Sequence, residues 1–165
     1  MFNVGIITLS DKGARGERED ISGRLIKEYV EEKGYNVSRT TMIPDEEKLL
    51  IEEYKHMADE LGLDLILTTG GTGFSKRDIT PEATLKVATR LAPGIAEAIR
   101  FFSLQITKRA MLSRGVSCIR NETLIVNLPG SPKAVKEALD FTLDSIHHGL
   151  EILLDRTSEC ARKEG

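Results

Sequence analysis

The sequence predicts an α/β fold, a three-layer α/β sandwich with a mostly parallel central sheet. Short apolar runs, typical of strands buried on both faces, alternate along the chain with segments whose apolar residues recur at helical spacing. The chain has 165 residues and contains neither repeats nor a linker, so its length suits one domain. We predict a single domain over residues 1–154 and a polar C-terminal tail over residues 155–165.

Strands and helices alternate in the first half of the chain. Strands are predicted over residues 3–9, 35–43 and 64–69, where apolar and β-branched residues predominate. A helix begins at Ile21 after the first strand, because apolar residues then recur three and four positions apart, and Gly34 ends it. A second helix begins near Asp45. The third strand leads directly into the glycine-rich sequence at residues 70–73.

Proline-marked helix starts organise the second half. Thr80 is predicted as an N-cap with Pro81 at the first helical position, and this helix extends to about Arg90. A further helix is predicted over residues 95–106, and residues 116–119 and 123–127 form a β-hairpin. Ser131 and Pro132 repeat the cap-plus-proline pattern before a long amphipathic helix.

Composition excludes several classes of protein. With 23 Lys and Arg against 26 Asp and Glu, the net charge of −3 excludes an overall basic, nucleic-acid-binding protein. The two cysteines and three histidines have no zinc-binding spacing. The first ten residues lack the basic start and cleavage site of a signal peptide. We therefore expect a cytoplasmic protein that binds neither nucleic acid nor a membrane.

Three polar loops follow predicted strand ends, at residues 10–20, 43–46 and 70–81. In open α/β sheets, ligands bind beyond the carboxyl ends of the strands. Glycines let backbone N–H groups approach a phosphate, and carboxylates hold a hard divalent cation. The chain lacks both the P-loop pattern and the G-x-G-x-x-G pattern. Spacing alone therefore predicts only a phosphate-binding α/β domain.

Each of these residues also has a purely structural interpretation. Asp45 stands where a helix N-cap belongs, Asp20 is a possible cap, and Asp11 is a possible turn residue. Residues 70–73 could form no more than a tight turn, and Arg77 could lie on a solvated loop surface. Asp78, two residues before Thr80, is explained less well by capping.

Five sequence blocks, in order, resemble the molybdopterin adenylyltransferase family of molybdenum-cofactor biosynthesis. They are SD with DISG (residues 10–11 and 20–23), IPDE (43–46), TTGGTGFS with RDITPEAT (68–75 and 77–84), AMLSR (110–114) and NLPGSP (127–132). The fourth block and the uninterrupted residues 80–84 resemble the adenylyltransferase branch more than the B-type branch. Lys76 departs from the family, whose members often have proline there. The resemblance implies a three-layer fold, a homotrimer, ATP and molybdopterin as substrates, and Mg²⁺ as cofactor. It also suggests the downstream molybdate-insertion protein as a partner.

The resemblance also implies roles for individual residues. Asp45 and Asp78 match the two catalytic aspartates of the family and are expected to bind Mg²⁺ and orient the triphosphate. Substrate-binding positions are Ser10, Asp11, Asp20, Gly70, Gly71, Thr72, Gly73, Ser113, Arg114, Pro129, Gly130 and Ser131. The alternatives are a non-catalytic molybdopterin-binding or scaffolding module and an unrelated nucleotide-binding protein. Two carboxylates beside an anionic ligand favour the enzyme, because a simple binding protein has little use for them.

Overall fold

A mostly parallel six-stranded sheet forms the centre of the computed structural model, which describes residues 1–156. Its strands are β1 (Asn3–Leu9), β2 (Asn36–Ile43), β3 (Leu65–Thr69), β4 (Arg90–Leu91), β5 (Ser117–Arg120) and β6 (Thr123–Leu128). The order across the sheet is β2-β1-β3-β6-β5-β4. The pairs among β2, β1, β3 and β6 are parallel, and β5 and β4 are antiparallel additions.

Helices cover both faces of this sheet. They are α1 (Asp11–Ala14), α2 (Ile21–Glu32), α3 (Glu47–Lys55), α4 (Thr80–Val87), α5 (Pro93–Leu104) and α6 (Pro132–Leu153). Because side chains alternate along a strand, Ile6 faces the core formed with α2, α5 and α6, whereas its neighbour Ile7 faces α3 and α4. Two separate apolar cores therefore flank the sheet, and the predicted three-layer sandwich is confirmed.

Two helix starts differ from the sequence-based prediction. Helix α3 begins at Glu47 with Glu46 as N-cap, so Asp45 is not a cap. Helix α4 begins at Thr80 with Ile79 as N-cap, so Thr80 is not a cap either. The Thr80 hydroxyl instead donates to the carbonyl of Gly70 at 2.9 Å. The Asp45 carboxylate likewise accepts the N–H of Asp11. In both cases the side chain that the local pattern predicts as a cap forms a hydrogen bond with a residue of another loop.

Helix α4 is shorter than the sequence predicts. The helix ends at Val87 rather than at about Arg90, because Thr89 donates its backbone N–H to Ile119 and Arg90–Leu91 then pairs with β5. The predicted hairpin is confirmed, with Asn121 at φ 53° in its turn. The short helix α1 and a 3₁₀ segment at Lys108–Leu112 were not predicted.

The C-terminal helix follows its prediction, with the Ser131 hydroxyl accepting the N–H of Ala134. Of the predicted tail, residues 157–165 lie outside the described residues. The proposed domain boundary at residue 154 stays a prediction. Within residues 1–156, each helix is too short or too polar to cross a membrane.

Candidate functional site

The loops that follow β1, β2, β3 and β6 lie side by side at the carboxyl edge of the sheet. Thr69 at the end of β3 is in register with Thr8 of β1 and with Leu128 of β6. The chain passes from β1 to β2 on one side and returns to β3 on the other. The site is therefore at the topological switch point, where α/β folds bind ligands.

The centre of the site is the glycine turn at residues 70–73. Gly70 and Gly71 have φ angles of 93° and 71°, which side chains other than glycine rarely adopt. A Cβ atom on Gly70 would lie 2.4 Å from the carbonyl oxygen of Leu9, so the two backbones are in close contact. In the described part of the chain, the N–H groups of Gly71, Thr72 and Gly73 donate to no other protein group. They are free to bind an anion.

The side chains of Asp45 and Asp78 flank this turn. The Oδ1 atom of Asp45 lies 3.3 Å from the position of a Cβ on Gly71, and the Oδ2 atom of Asp78 lies 2.9 Å from that of Gly73. Ser75 donates its N–H to the same Asp78 oxygen at 2.9 Å. Two aspartates from different loops thus converge on one glycine turn, as the resemblance requires.

Asp11 holds Asp45 from the outer side. The Asp45 N–H donates to Asp11 and the Asp11 N–H donates to Asp45, each at 3.0 Å. Arg77 donates two further hydrogen bonds to the Asp11 carboxylate, at 2.8 Å and 3.0 Å. Arg77, Asp11 and Asp45 therefore form a connected chain of ionic and hydrogen bonds, which leaves one Asp45 oxygen directed at the turn.

This arrangement shifts the pKa values of Asp11 and Asp45 in opposite directions. The hydrogen bonds from Arg77, and then the N–H of Asp45, lower the pKa of Asp11 to about 2. Burial raises the pKa of Asp45 above its ordinary value, and the charges of Asp11 and Asp78 add to that rise. A half-buried carboxylate between two others is poorly stabilised in the free protein, so it favours a bound cation.

Arg114 approaches Asp78 from the other side of the turn. Its guanidinium donates to the carbonyl oxygens of Gly73 and Asp78, at 2.8 Å and 2.9 Å, and forms an ion pair with Glu82. Its backbone N–H donates to Thr72 at 2.8 Å. Ser113 and Arg114 thus lie beside the glycine turn, and no contact in the structure tests their predicted role in binding substrate.

Two cavities open on either side of the loop after β6. A cavity of about 540 Å³ contains five predicted positions: Ser10, Asp20, Gly70, Gly130 and Ser131. The other, of about 210 Å³, is mainly apolar and is lined by the predicted Ser113 and Pro129, together with Arg100. A third, open depression beside Arg77 contains Asp11. Seven predicted positions therefore line the two cavities, and Asp11 lies at the charged rim. Asp45, Asp78, Arg114 and residues 71–73 line none of these three spaces.

Several predicted positions also have structural roles. Asp20 caps α2 by accepting the N–H of Gly23 at 2.8 Å, which confirms its interpretation as a cap. Ser10 caps α1. The carbonyl of Pro129 accepts the hydroxyl of Thr69 at 2.6 Å, and that of Gly130 accepts the hydroxyl of Ser22 at 2.8 Å. These bonds shape the large cavity, and whether the residues also bind substrate stays a prediction.

The donor set suits Mg²⁺ shared with a substrate. Mg²⁺ commonly binds through one or two carboxylates together with phosphate oxygens and water. Asp45 and Asp78 supply two carboxylates beside free N–H groups. Residues 1–156 contain no group of three or more His, Cys, Asp or Glu side chains arranged for a metal ion. The site therefore suits a cation that arrives with a triphosphate better than a permanently enclosed one.

Sequence reasoning did not select several residues that the structure places in the site. The sequence leaves Arg77 open as a solvated residue, whereas in the structure it pairs with Asp11. The sequence predicts Thr80 as a cap, whereas its hydroxyl supports the glycine turn. Arg100, which lines the smaller cavity, is not among the predicted residues. Two basic residues beside Asp78 gave a usable signal for Arg77. No local pattern distinguishes Arg100.

Comparison with known proteins agrees with this geometry. A family model described as "Probable molybdopterin binding domain" matches residues 5–148. The molybdopterin adenylyltransferase of Helicobacter pylori strain J99 is 40% identical over 155 residues, covering 93% of this chain and 88% of the relative. That of Haemophilus influenzae is 42% identical over 146 residues, covering 87% and 74%.

Solved structures include members of both named branches. The molybdopterin biosynthesis enzyme MoaB of Thermus thermophilus is 45% identical, with a TM-score of 0.89, covering 96% of this chain and 100% of the other. The Mog protein of Mycobacterium ulcerans is 38% identical, with a TM-score of 0.86, covering 93% and 99%. The predicted preference for the adenylyltransferase branch stays a prediction. The resemblance found in the five blocks is confirmed, and the chain belongs to the molybdopterin-binding domain family of molybdenum-cofactor biosynthesis, which includes the molybdopterin adenylyltransferases.

Proposed function

We propose that this chain is an enzyme that transfers AMP from ATP to the terminal phosphate of molybdopterin. Adenylylated molybdopterin and pyrophosphate are the products. The observation that carries this proposal is the convergence of Asp45 and Asp78 on a glycine turn with free N–H groups. The names of relatives at 38–42% identity support it.

The reaction joins two polyanions, so its barrier is largely electrostatic. A phosphate oxygen of molybdopterin attacks the α-phosphorus of ATP. The bond from that phosphorus to the oxygen bridging to the β-phosphate breaks, and pyrophosphate leaves with the electron pair. The nucleophile is already ionised, so the protein needs no general base to activate it. The charged side chains around the glycine turn, among them Asp45, Asp78 and Arg77, can therefore act by electrostatics alone.

Different residues of the chain bind the phosphates, the cation and the two substrates. The N–H groups of Gly71, Thr72 and Gly73 bind phosphate oxygens, and Asp45 and Asp78 hold Mg²⁺. When bound, Mg²⁺ neutralises charge on the triphosphate and polarises the reacting phosphoryl group. The larger cavity, with Ser10, Asp20, Gly70, Gly130 and Ser131, accommodates ATP. The smaller one, with Ser113 and Pro129, accommodates the pterin.

The family resemblance further supports a homotrimer in the cytoplasm. Large apolar side chains remain exposed on one protomer at Leu91, Phe101, Ile106 and Met111. Contact between copies would remove such surface from water. Sedimentation of the 18.3 kDa chain tests this assembly, and a monomer at micromolar concentration contradicts it. We also propose that the chain transfers its product, adenylylated molybdopterin, to a separate molybdate-insertion protein.

The decisive experiment is incubation of the protein with molybdopterin, ATP and Mg²⁺. Mass spectrometry should detect adenylylated molybdopterin, with one pyrophosphate released for each product. Asp45→Asn and Asp78→Asn should abolish product formation, whereas Asp140→Asn, on the exposed surface of α6, should not. Molybdopterin binding without product, under conditions in which the Helicobacter pylori enzyme is active, would favour a binding or scaffolding module. ATP binding that ignores molybdopterin would favour an unrelated nucleotide-binding protein.

A further inference from the structure

Arg114 uses all of its guanidinium nitrogens on protein groups around one loop. Nε donates to the carbonyl of Gly73, Nη2 to the carbonyl of Asp78, and Nη1 to the carboxylate of Glu82. The Arg114 N–H adds a bond to Thr72. One residue therefore holds both ends of the segment at residues 72–78.

Apart from the ion pair of Arg77 with Asp11, the middle of that segment has little other support. Phe74 is 70% exposed, and the side chains of Ser75, Lys76 and Arg77 are also exposed. The Asp78 carboxylate accepts the N–H of Ser75, a residue of the same segment. The direction in which Asp78 points therefore depends on the shape of the segment, and the contacts of Arg114 constrain that shape.

Hydrogen bonds from Arg100, which lines the smaller cavity, hold the backbone on both sides of Arg114. Arg100, on α5, donates through Nη1 to the carbonyls of Ser113 and Gly115, at 3.3 Å and 2.8 Å. Ser113 and Gly115 both line that cavity. The backbone at residues 113–115 thus contacts both the smaller cavity and, through Arg114, the loop of Asp78.

We propose that Arg114 is a positioning residue that sets the direction of Asp78 by holding the two ends of its loop, without touching either substrate. This inference rests on the proposed adenylyl transfer and replaces the predicted role of Arg114 in binding substrate. Each of its three guanidinium nitrogens already donates one hydrogen bond to the loop or to Glu82, which fixes the plane of the guanidinium against the loop. Holding three acceptors in different directions at once requires the planar, forked guanidinium group of arginine. A lysine ammonium on a flexible chain cannot reproduce that geometry.

The chain contains a matched control for this arginine. Arg120 donates through Nε and Nη2 to Asp59, at 2.9 Å and 2.6 Å, and through Nη1 to the carbonyl of Val87 at 3.0 Å. Arg120 is in register with Thr123, at the opposite edge of the sheet from the site. Arg120→Lys therefore removes a comparable fork and leaves the site intact.

The test compares Arg114→Lys with Arg120→Lys in steady-state adenylyl transfer. Arg114→Lys should lower kcat about 10–100-fold, the range typical when a group that orients a metal ligand is lost, and should raise the Mg²⁺ concentration needed for half-maximal rate. KM for molybdopterin should change by less than about twofold, because uniform substrate binding is unaffected. Arg120→Lys should leave all three quantities unchanged. Guanidinium added to Arg114→Ala should partly restore kcat.

Binding of Mn²⁺ in the presence of ATP, followed by electron paramagnetic resonance, needs no turnover. Arg114→Lys should weaken it and Arg120→Lys should not. If Arg114→Lys does not fold, Glu82→Gln keeps the fork and should give a smaller change in the same direction. Equal behaviour of the two lysine variants, per folded molecule, would overturn the positioning role, as would a rise in KM with kcat unchanged. An inactive wild-type protein would instead overturn the proposed function, and Mn²⁺ binding would still decide the role of Arg114.

Discussion

Replacing Gly70 with alanine tests the central feature of the site, the close approach of the glycine turn to β1. Two costs combine at this position. The φ angle of 93° is unfavourable for alanine, and the new Cβ would lie 2.4 Å from the backbone oxygen of Leu9. Gly34 provides the matched control, because its φ is 88° and no atom lies within 4 Å of its Cβ position. Both substitutions introduce backbone strain from the positive φ angle, but only Gly70→Ala also brings the new Cβ into collision with another atom.

The expected magnitudes follow from this difference. A residue with a side chain costs about 1–2 kcal/mol in a left-handed conformation, so Gly34→Ala should lower the free energy of unfolding by about that amount. An overpacked contact adds about 1–3 kcal/mol, so Gly70→Ala should lose about 2–5 kcal/mol. For a chain of this length, each kcal/mol corresponds to a fall in Tm of about 2–4 °C.

Thermal and urea unfolding, together with adenylyl transfer, measure the outcome. Gly34→Ala should retain turnover, because residue 34 is far from the carboxyl edge of the sheet. Gly70→Ala should lose both stability and turnover, since relief of the collision moves the turn that Asp45 and Asp78 flank. The reasoning is refuted if Gly70→Ala is as stable and as active as Gly34→Ala.

Three further substitutions test the electrostatics and the core. Asp45→Asn should reduce turnover at least about a hundredfold, the scale for losing one transition-state-stabilising group. It should also raise the free energy of unfolding above the folded-state pKa of Asp45, because burial raises that pKa and the ionised form is disfavoured; a loss of stability at neutral pH would contradict this. Arg77→Gln should raise the pKa of Asp11 from about 2 toward its ordinary value, and an unchanged carboxyl titration by NMR would argue against the ion pair. Asn127→Ala should cost about 1–3 kcal/mol for each buried polar group left unpaired, because its amide oxygen accepts the N–H of Val116 at 3.1 Å and its amide nitrogen donates to the hydroxyl of Thr68 at 3.0 Å. A smaller loss in urea unfolding would count against this network.

The fold could be predicted in detail because its signals are local. The first strand spans residues 3–9 both in the prediction and in the structure. Apolar residues at helical spacing and a C-terminal glycine were sufficient to locate α2. Burial of a strand on both faces gives a continuous apolar run, and burial of a helix on one face gives apolar residues at helical spacing. Both patterns can be read without knowing what the element packs against.

Predictions failed where a polar side chain had two possible partners. Thr80 and Asp45 each fit a helix cap locally, but the hydroxyl of Thr80 bonds Gly70 and the carboxylate of Asp45 bonds Asp11. The helix after Thr80 also ended early, since Arg90–Leu91 paired with β5. Each competing partner lies far away in the sequence, and local patterns contain no information about it.

The sequence by itself determined the layered α/β architecture, the three polar loops that follow strand ends and, through resemblance, the choice of Asp45 and Asp78 as candidate catalytic residues. Only the tertiary structure decided that Asp45 and Asp78 flank opposite ends of one turn, that Arg77 stabilises Asp11, and that Arg114 holds the loop of Asp78. The reason is physical. Secondary structure depends on residues close together in the chain, whereas the direction and acidity of a side chain depend on partners that only the folded sheet brings within hydrogen-bonding distance.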